Sequence, residues 1–276
     1  MSPPTEGRVQ AKLDADITNS NLQSIKDFYK SADPKSQSSL LADIAARAAA
    51  KAQVDILDWV FSEGFQAPPD SLNDEFYHQA CLAQSLAVWE TLVKNGFNLN
   101  GHHSEFFGDA LSLEAYCGNV GIIRFLLENG QDPNDAWGGY DDLEPGVAAL
   151  VGDKPSLEIL HLMLHHGWNQ KRSATHIAAA ELGNMEALKL LVEHGADLEE
   201  ASGWWPNCGI IEADKWGTAL YRAAYKGQRE PVTYLLDKGA NIWFKDDKRR
   251  SILWAAKQGG NEEVIELLKS AGLKEE

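Results

Sequence analysis

Seven glycines, Gly64, Gly96, Gly130, Gly167, Gly195, Gly239 and Gly272, each close an apolar helical run, as in Ile122-Ile123-Arg124-Phe125-Leu126-Leu127-Glu128-Asn129-Gly130. The successive gaps are 32, 34, 37, 28, 44 and 33 residues, a period of about 33 with one short and one long unit. A unit of that length is a single supersecondary element that cannot bury its apolar face alone, so it must stack on its neighbours. The expected architecture is therefore a solenoid whose core grows with each unit. Equivalent positions of successive units then line one long open face, and function is sought there rather than in a deep cleft.

Stacking also resolves a size problem. One compact core would be strained at 276 residues, whereas an array adds core linearly and needs no split. The expectation is one elongated domain over residues 10–276, preceded by a flexible N-terminus, residues 1–9. The chain opens without a basic segment followed by an apolar stretch, and no run of about 18 apolar residues occurs, so a soluble, cytoplasmic protein with no membrane partner is expected. Cys81, Cys117 and Cys208 are odd in number and without close pairs, which points to reduced thiols rather than a disulfide framework or a zinc knuckle.

Forty-one acids against 25 bases leave a net charge of −16. Such a surface repels a phosphate backbone unless it carries a basic stripe. The compact candidate, Lys245 to Arg250, is diluted by Asp246 and Asp247. No nucleic-acid partner is expected, whereas a basic peptide or a cationic ligand fits the acidity.

The clearest unit runs Thr218-Ala219-Leu220-Tyr221-Arg222-Ala223-Ala224-Tyr225-Lys226-Gly227 and then Val232-Thr233-Tyr234-Leu235-Leu236-Asp237-Lys238-Gly239-Ala240-Asn241. A short helix ends at a glycine. Pro231 falls in the first turn of the next helix, where its missing N–H is tolerated, and Gly239 can take the left-handed cap conformation. Val232, Leu235 and Leu236 make one apolar stripe at helical period, while Ala223 and Ala224 allow the first helix to lie close to its neighbours.

These motifs resemble the ankyrin repeat family, whose Thr-Pro-Leu-His-x-Ala-Ala opening and Leu-Leu-x-x-Gly-Ala-Asp/Asn closing are matched with Ala219 for Pro and Tyr221 for His. The closing recurs in Leu190-Leu191-Val192-Glu193-His194-Gly195-Ala196-Asp197, and Glu128-Asn129-Gly130-Gln131-Asp132-Pro133-Asn134 is close to it. In the same register His78 and Ser112 stand at the family histidine, His78 placed for its structural hydrogen bond. Ala46, Ala149 and Ile177 occupy the place in other units, leaving His176 one residue early. The resemblance covers about Gln10 to Gly272 and implies an all-α, ankyrin-repeat solenoid of about eight helix-turn-helix units.

Two connections are too long for that pattern. Residues 131–145 carry Asp132, Asp135, Trp137, Tyr140, Asp141, Asp142 and Glu144; residues 198–216 carry Glu199, Glu200, Trp204, Trp205, Glu212, Asp214 and Trp216. Insertions in repeat arrays gather on one side and widen a binding edge. Of nine tryptophans, Trp59 and Trp89 take core positions on second helices and Trp254 lies in the last first helix. Trp137, Trp168, Trp204, Trp205, Trp216 and Trp243 fall in connections, where a large ring either grips a partner or packs into a miniature loop core.

In the family's geometry, residues just after the Ala-Ala pair look into the groove, which places Tyr116, Glu181, Leu182 and Tyr225 there. With the loop residues Trp137, Tyr140, Trp204, Trp205, Trp216 and Trp243, they form the candidate binding set, an aromatic groove with an acidic rim suited to a cation or a flat organic ligand. His161 and His165 share a helix face at a chelating spacing beside His166, but no Glu follows His161 in a zincin pattern, so no metal is expected. Nucleophile elbows and phosphate-cradling loops are missing as well. If the chain is an enzyme, its acid–base groups are Asp141, Asp142, Glu212 and Asp214 near Tyr140 and His176, burial raising a carboxylate's pKa. Two functions compete. The first is a recognition module gripping a partner protein or peptide. The second is a small-molecule binder or cofactor-independent lyase, isomerase, cyclase or dehydratase with its pocket between units four and seven, holding an aromatic or cationic molecule. Neither requires a cofactor.

Overall fold

The computed structural model describes residues 6–67, 75–104, 106–135, 144–171, 173–202 and 216–274. These residues form sixteen helices in eight consecutive pairs, and extended pairing among them is limited to isolated bridges. The fold class is all-α, as the glycine period predicts. The chain divides into two compact units, Met1–Glu114 with Gly121–Trp137, and Ala115–Val120 with Gly138–Glu276.

In the first unit the helices are α1 (Glu6–Thr18), α2 (Leu22–Ser31), α3 (Gln37–Ala50), α4 (Val54–Ser62), α5 (Glu75–Leu82) and α6 (Leu86–Lys94), followed by α7 (Ala110–Cys117), which crosses the division, and α8 (Val120–Glu128). Helix α1 begins inside the segment expected to be flexible. First helices α1, α3 and α5 lie side by side, and second helix α4 packs on α6. Ile44, Ala48 and Ala49 of α3 are wholly buried, as are Ile56, Leu57 and Val60 of α4. Trp59 and Trp89 are buried as their register requires. His78 Nδ1 lies 3.1 Å from Ser104 Oγ. The start of the first insertion is pinned to the preceding turn: Asp132 N–H donates to Asn100 Oδ1 at 2.8 Å, and Gly101 N–H donates to Asp135 Oδ2 at 2.6 Å.

The second unit contains α9 (Pro145–Val151), α10 (Leu157–His165), α11 (Thr175–Leu182), α12 (Met185–Glu193), α13 (Ala219–Tyr225), α14 (Arg229–Asp237), α15 (Ile252–Gly259) and α16 (Glu262–Ser270). First helices α9, α11, α13 and α15 form one layer and second helices α10, α12, α14 and α16 another. The sequence explains both. Ala179, Ala180, Ala223, Ala224, Ala255 and Ala256 are wholly buried and let the first helices approach closely, while Leu188, Leu191, Val232, Leu235, Val264 and Leu268 supply the apolar stripe of the second layer.

Side chains cap the helix starts. Thr218 Oγ1 accepts from Tyr221 N–H and Ser251 Oγ from Trp254 N–H, both at 3.2 Å, relieving orphan donors of the first turn. At the other end, Gly239 sits at φ +85°, a left-handed cap that a β-carbon would strain. The long insertion 198–216 is closed at its base by reciprocal N–H···O bonds between Ser202 and Gly217, each 3.2 Å.

Candidate recognition face

A chain of charged and aromatic groups crosses α11, α13, α15 and the hairpin between α14 and α15. It starts at Glu181, whose carboxylate accepts from Arg222 Nη2 at 2.9 Å and Nε at 3.0 Å. This fork-on-fork pair is inside the protein, with side chains 2% and 4% exposed. Lys226 Nζ approaches Glu181 Oε1 from solvent at 3.5 Å. The Arg222 guanidinium carbon lies 5.0 Å from the Tyr225 ring centroid, and that ring stacks on Trp254 at 6.4 Å and 29°. Arg250 closes the far side, 4.3 Å from the Trp254 ring.

Arg250 is held in turn by Asp246, through Nε to Oδ2 at 2.6 Å and backbone N–H to Oδ1 at 2.7 Å. Tyr221 O–H donates to the same Oδ2 at 3.1 Å. Burial pulls the Asp246 carboxyl upward, but these donors and the Arg250 charge outweigh it and leave its pKa below the ordinary value. Tyr221 is pushed up, by burial first and by Asp246 second. The order is carboxylate, guanidinium, ring, ring, guanidinium, carboxylate. Each cation faces an aromatic ring and is fixed by a carboxylate, an arrangement worth about 0.5–2 kcal/mol per cation–π contact. The half-buried Tyr225 and Trp254 rings are thus presented in a set orientation.

The sequence-predicted residues divide clearly. Glu181 and Tyr225 are brought together, with Arg222 between them. Tyr116 is exposed at the end of α7, where its carbonyl accepts from Asp153 N–H at 2.8 Å, and Leu182 is exposed at the end of α11. Trp216 is exposed, and Trp243, 66% exposed, stands on the hairpin before α15. Trp168 is buried instead, its ring against Gly146, so that connection follows the packing alternative. Trp137, Tyr140, Asp141, Asp142, Trp204, Trp205, Cys208, Glu212 and Asp214 lie outside the described residues.

His176 is 1% exposed, and neither ring nitrogen makes a well-formed hydrogen bond, the backbone of Asp197 offering only a weak polar contact. Desolvation lowers its pKa to about 4, the backbone and charge of Asp197 opposing only in part. The ring is therefore neutral near pH 7. His161 and His165 are exposed on α10, and no cluster of three or more metal-ligating side chains occurs among the described residues. No helix among them is long and apolar enough to cross a membrane. Cavities of about 330, 390 and 260 Å³ open beside Trp243, Phe97 and Arg47 respectively, and none is lined by Tyr116, Leu182 or Tyr225.

Arg222, Arg250 and Trp254 were missed as site residues. For Arg222 the signal is spacing, since it precedes Tyr225 by three within α13 and so shares its helical face; Arg250 precedes the helix of Trp254 and carries no such signal.

Paired helices stacked in two layers, with a built polar and aromatic face on the first, define a helical-repeat scaffold. Residues 146–246 match the family model described as ankyrin repeats (3 copies). The human ASB11 ankyrin repeat domain superimposes with a TM-score of 0.56 at 20% identity, covering 81% of this chain and 96% of that domain. The chain accordingly carries ankyrin repeats, in the ankyrin-repeat fold. It is 29% identical over 166 residues to an ankyrin repeat and KH domain-containing protein of Caenorhabditis briggsae, which covers 59% of this chain. It is also 29% identical over 165 residues to ankyrin repeat and KH domain-containing protein mask-1 of Caenorhabditis elegans, covering 57%. The matched part is 6% of the length of each relative.

Proposed function

We propose that this chain is a recognition module that binds a partner protein or peptide across the first-helix face of its second unit. The observation that carries the reading is the Tyr225–Trp254 stack clamped between Arg222 and Arg250. Interface energy concentrates in aromatic and arginine anchors, and anchors locked before binding lose little rotamer freedom on association. Exposed Leu182 and Lys226 flank the stack and enlarge the contact surface. Cys81, a buried free thiol, fits a reducing compartment such as the cytoplasm.

A photo-crosslinking amino acid placed at Leu182 or Lys226 in the full chain tests the proposal in cells. A discrete adduct is expected from both positions, absent from Thr233 on α14 and lost on Tyr225→Ala with Trp254→Ala. Equal adduct formation from Thr233, or adducts that survive loss of both rings, would refute it.

A further inference from the structure

The chain has eight histidines, and five of them are occupied within the fold. His78 Nδ1 meets Ser104 Oγ, His194 Nδ1 meets the Leu190 carbonyl at 2.8 Å, His102 stacks on Phe97 at 4.7 Å, His103 faces the charge of Asp109, and His176 is buried. The other three come together on one helix: His161 and His165 in α10 and His166 as its cap residue. Buried Ile159, Leu160, Leu162 and Met163 fix the side of α10 that packs on its neighbours. His161 and His165 are exposed on the opposite side, and neither makes a hydrogen bond or ion pair with any described residue.

Residues four apart on an α-helix stand one above the other, their β-carbons about 5–6 Å apart. Two imidazoles so placed can close on one ion, which at metal–nitrogen distances of about 2.0–2.1 Å needs the two nitrogens about 3.3 Å apart. The glutamate missing from the zincin pattern is a general base, so its absence bears on hydrolysis and leaves the two ligands intact. His165 lies in the last turn of α10, where the partial negative charge of the helix end favours a cation. Its ring meets that of His166 edge-on at 5.4 Å and 82°, which narrows the arc it can sweep. Among the described residues no third metal-ligating side chain completes the group, so the remaining coordination positions fall to water or to a donor from another molecule. Imidazole suits zinc, copper and nickel, whereas magnesium and calcium require oxygen donors.

We propose that His161 and His165 form a two-point clip on the outer side of α10 for a divalent transition-metal ion of the zinc and copper class. The clip is independent of the recognition reading above, since α10 belongs to the second-helix layer and holds none of the residues of that face.

Zinc chloride is titrated into the full chain, carrying no affinity tag, with bound metal measured by equilibrium dialysis and the imidazole proton signals followed by NMR. One Zn²⁺ per chain is expected to bind below about 1 mM, shifting the His161 and His165 signals. His161→Ala and His165→Ala should each weaken binding about tenfold or more, because either change turns a chelate into a single ligand. Both positions are exposed, so metal-free thermal unfolding should be unchanged in either variant. Cu²⁺ should bind more tightly than Zn²⁺ in dialysis, and Mg²⁺ should leave both imidazole signals unmoved. His166→Ala should keep the site. Zinc affinity equal to the parent's in His161→Ala or His165→Ala, signal shifts confined to other histidines, or no binding by about 1 mM overturns the inference.

Discussion

His176 should make this protein acid-labile in a way one substitution removes. In the repeat pattern its position belongs to the apolar residue of the opening motif, and the structure puts the ring inside the first-helix layer, 1% exposed, with no well-formed hydrogen bond to either nitrogen. Its pKa is about 4 folded against 6.5 unfolded. Above pH 6.5 both states are neutral and the ring contributes no pH dependence. Below that the unfolded chain takes up the proton first, so stability falls with pH. The loss is about 2 kcal/mol at pH 5 and about 3 kcal/mol at pH 4, where it levels off. His176→Leu places a similar volume there without polar atoms. It should stabilise the fold by about 1–3 kcal/mol at pH 7.5, because buried unpaired nitrogens are removed, and should flatten the difference curve between pH 6.5 and 4. Urea unfolding of both proteins at matched pH values measures this, the subtraction cancelling the carboxylates common to both. Parallel pH dependences, or a less stable variant at pH 7.5, would refute the buried neutral histidine.

Arg222→Ala should destabilise the protein by about 3–5 kcal/mol, since it strands a buried carboxylate, and the pairing of Arg222→Met with Glu181→Leu should recover most of that loss in a double-mutant cycle read by denaturant unfolding. Gly259→Ala should disturb the face directly: its β-carbon would lie 2.7 Å from Tyr225 O and 2.8 Å from Ala224 O, forcing α15 away from α13. A loss of about 1–3 kcal/mol with altered Trp254 fluorescence is expected. Gly239→Ala has open space around it and only a left-handed φ to strain, so a loss of about 1–2 kcal/mol with unchanged fluorescence is expected. Identical spectra for these two variants would contradict the packing described.

The array was legible because its signals are local. The Gly239 cap, the small Ala223–Ala224 pair and the Val232, Leu235 stripe act within a few residues of their own backbone, and each lies where the pattern puts it. The site was legible only in part. Tyr225 and Glu181 follow from their register, but a register does not tell an exposed acid from one sealed by Arg222, 41 residues further on. Trp168 and Trp243 both occupy connections and read alike, yet one is buried against Gly146 of α9 and the other is two-thirds exposed.

Sequence alone determined the helical pairs, the period and the all-α ankyrin-repeat class, since backbone conformation and the burial of one helix face are set by near neighbours. Tertiary structure decided which charges remain at the surface. Stacking α11 on α13 turns Glu181 inward against Arg222, 41 residues further on, and packing of α13 against the hairpin before α15 brings Tyr221 onto Asp246, 25 residues away. Coulomb interaction depends on distance and burial in space, and neither is recorded in the order of residues.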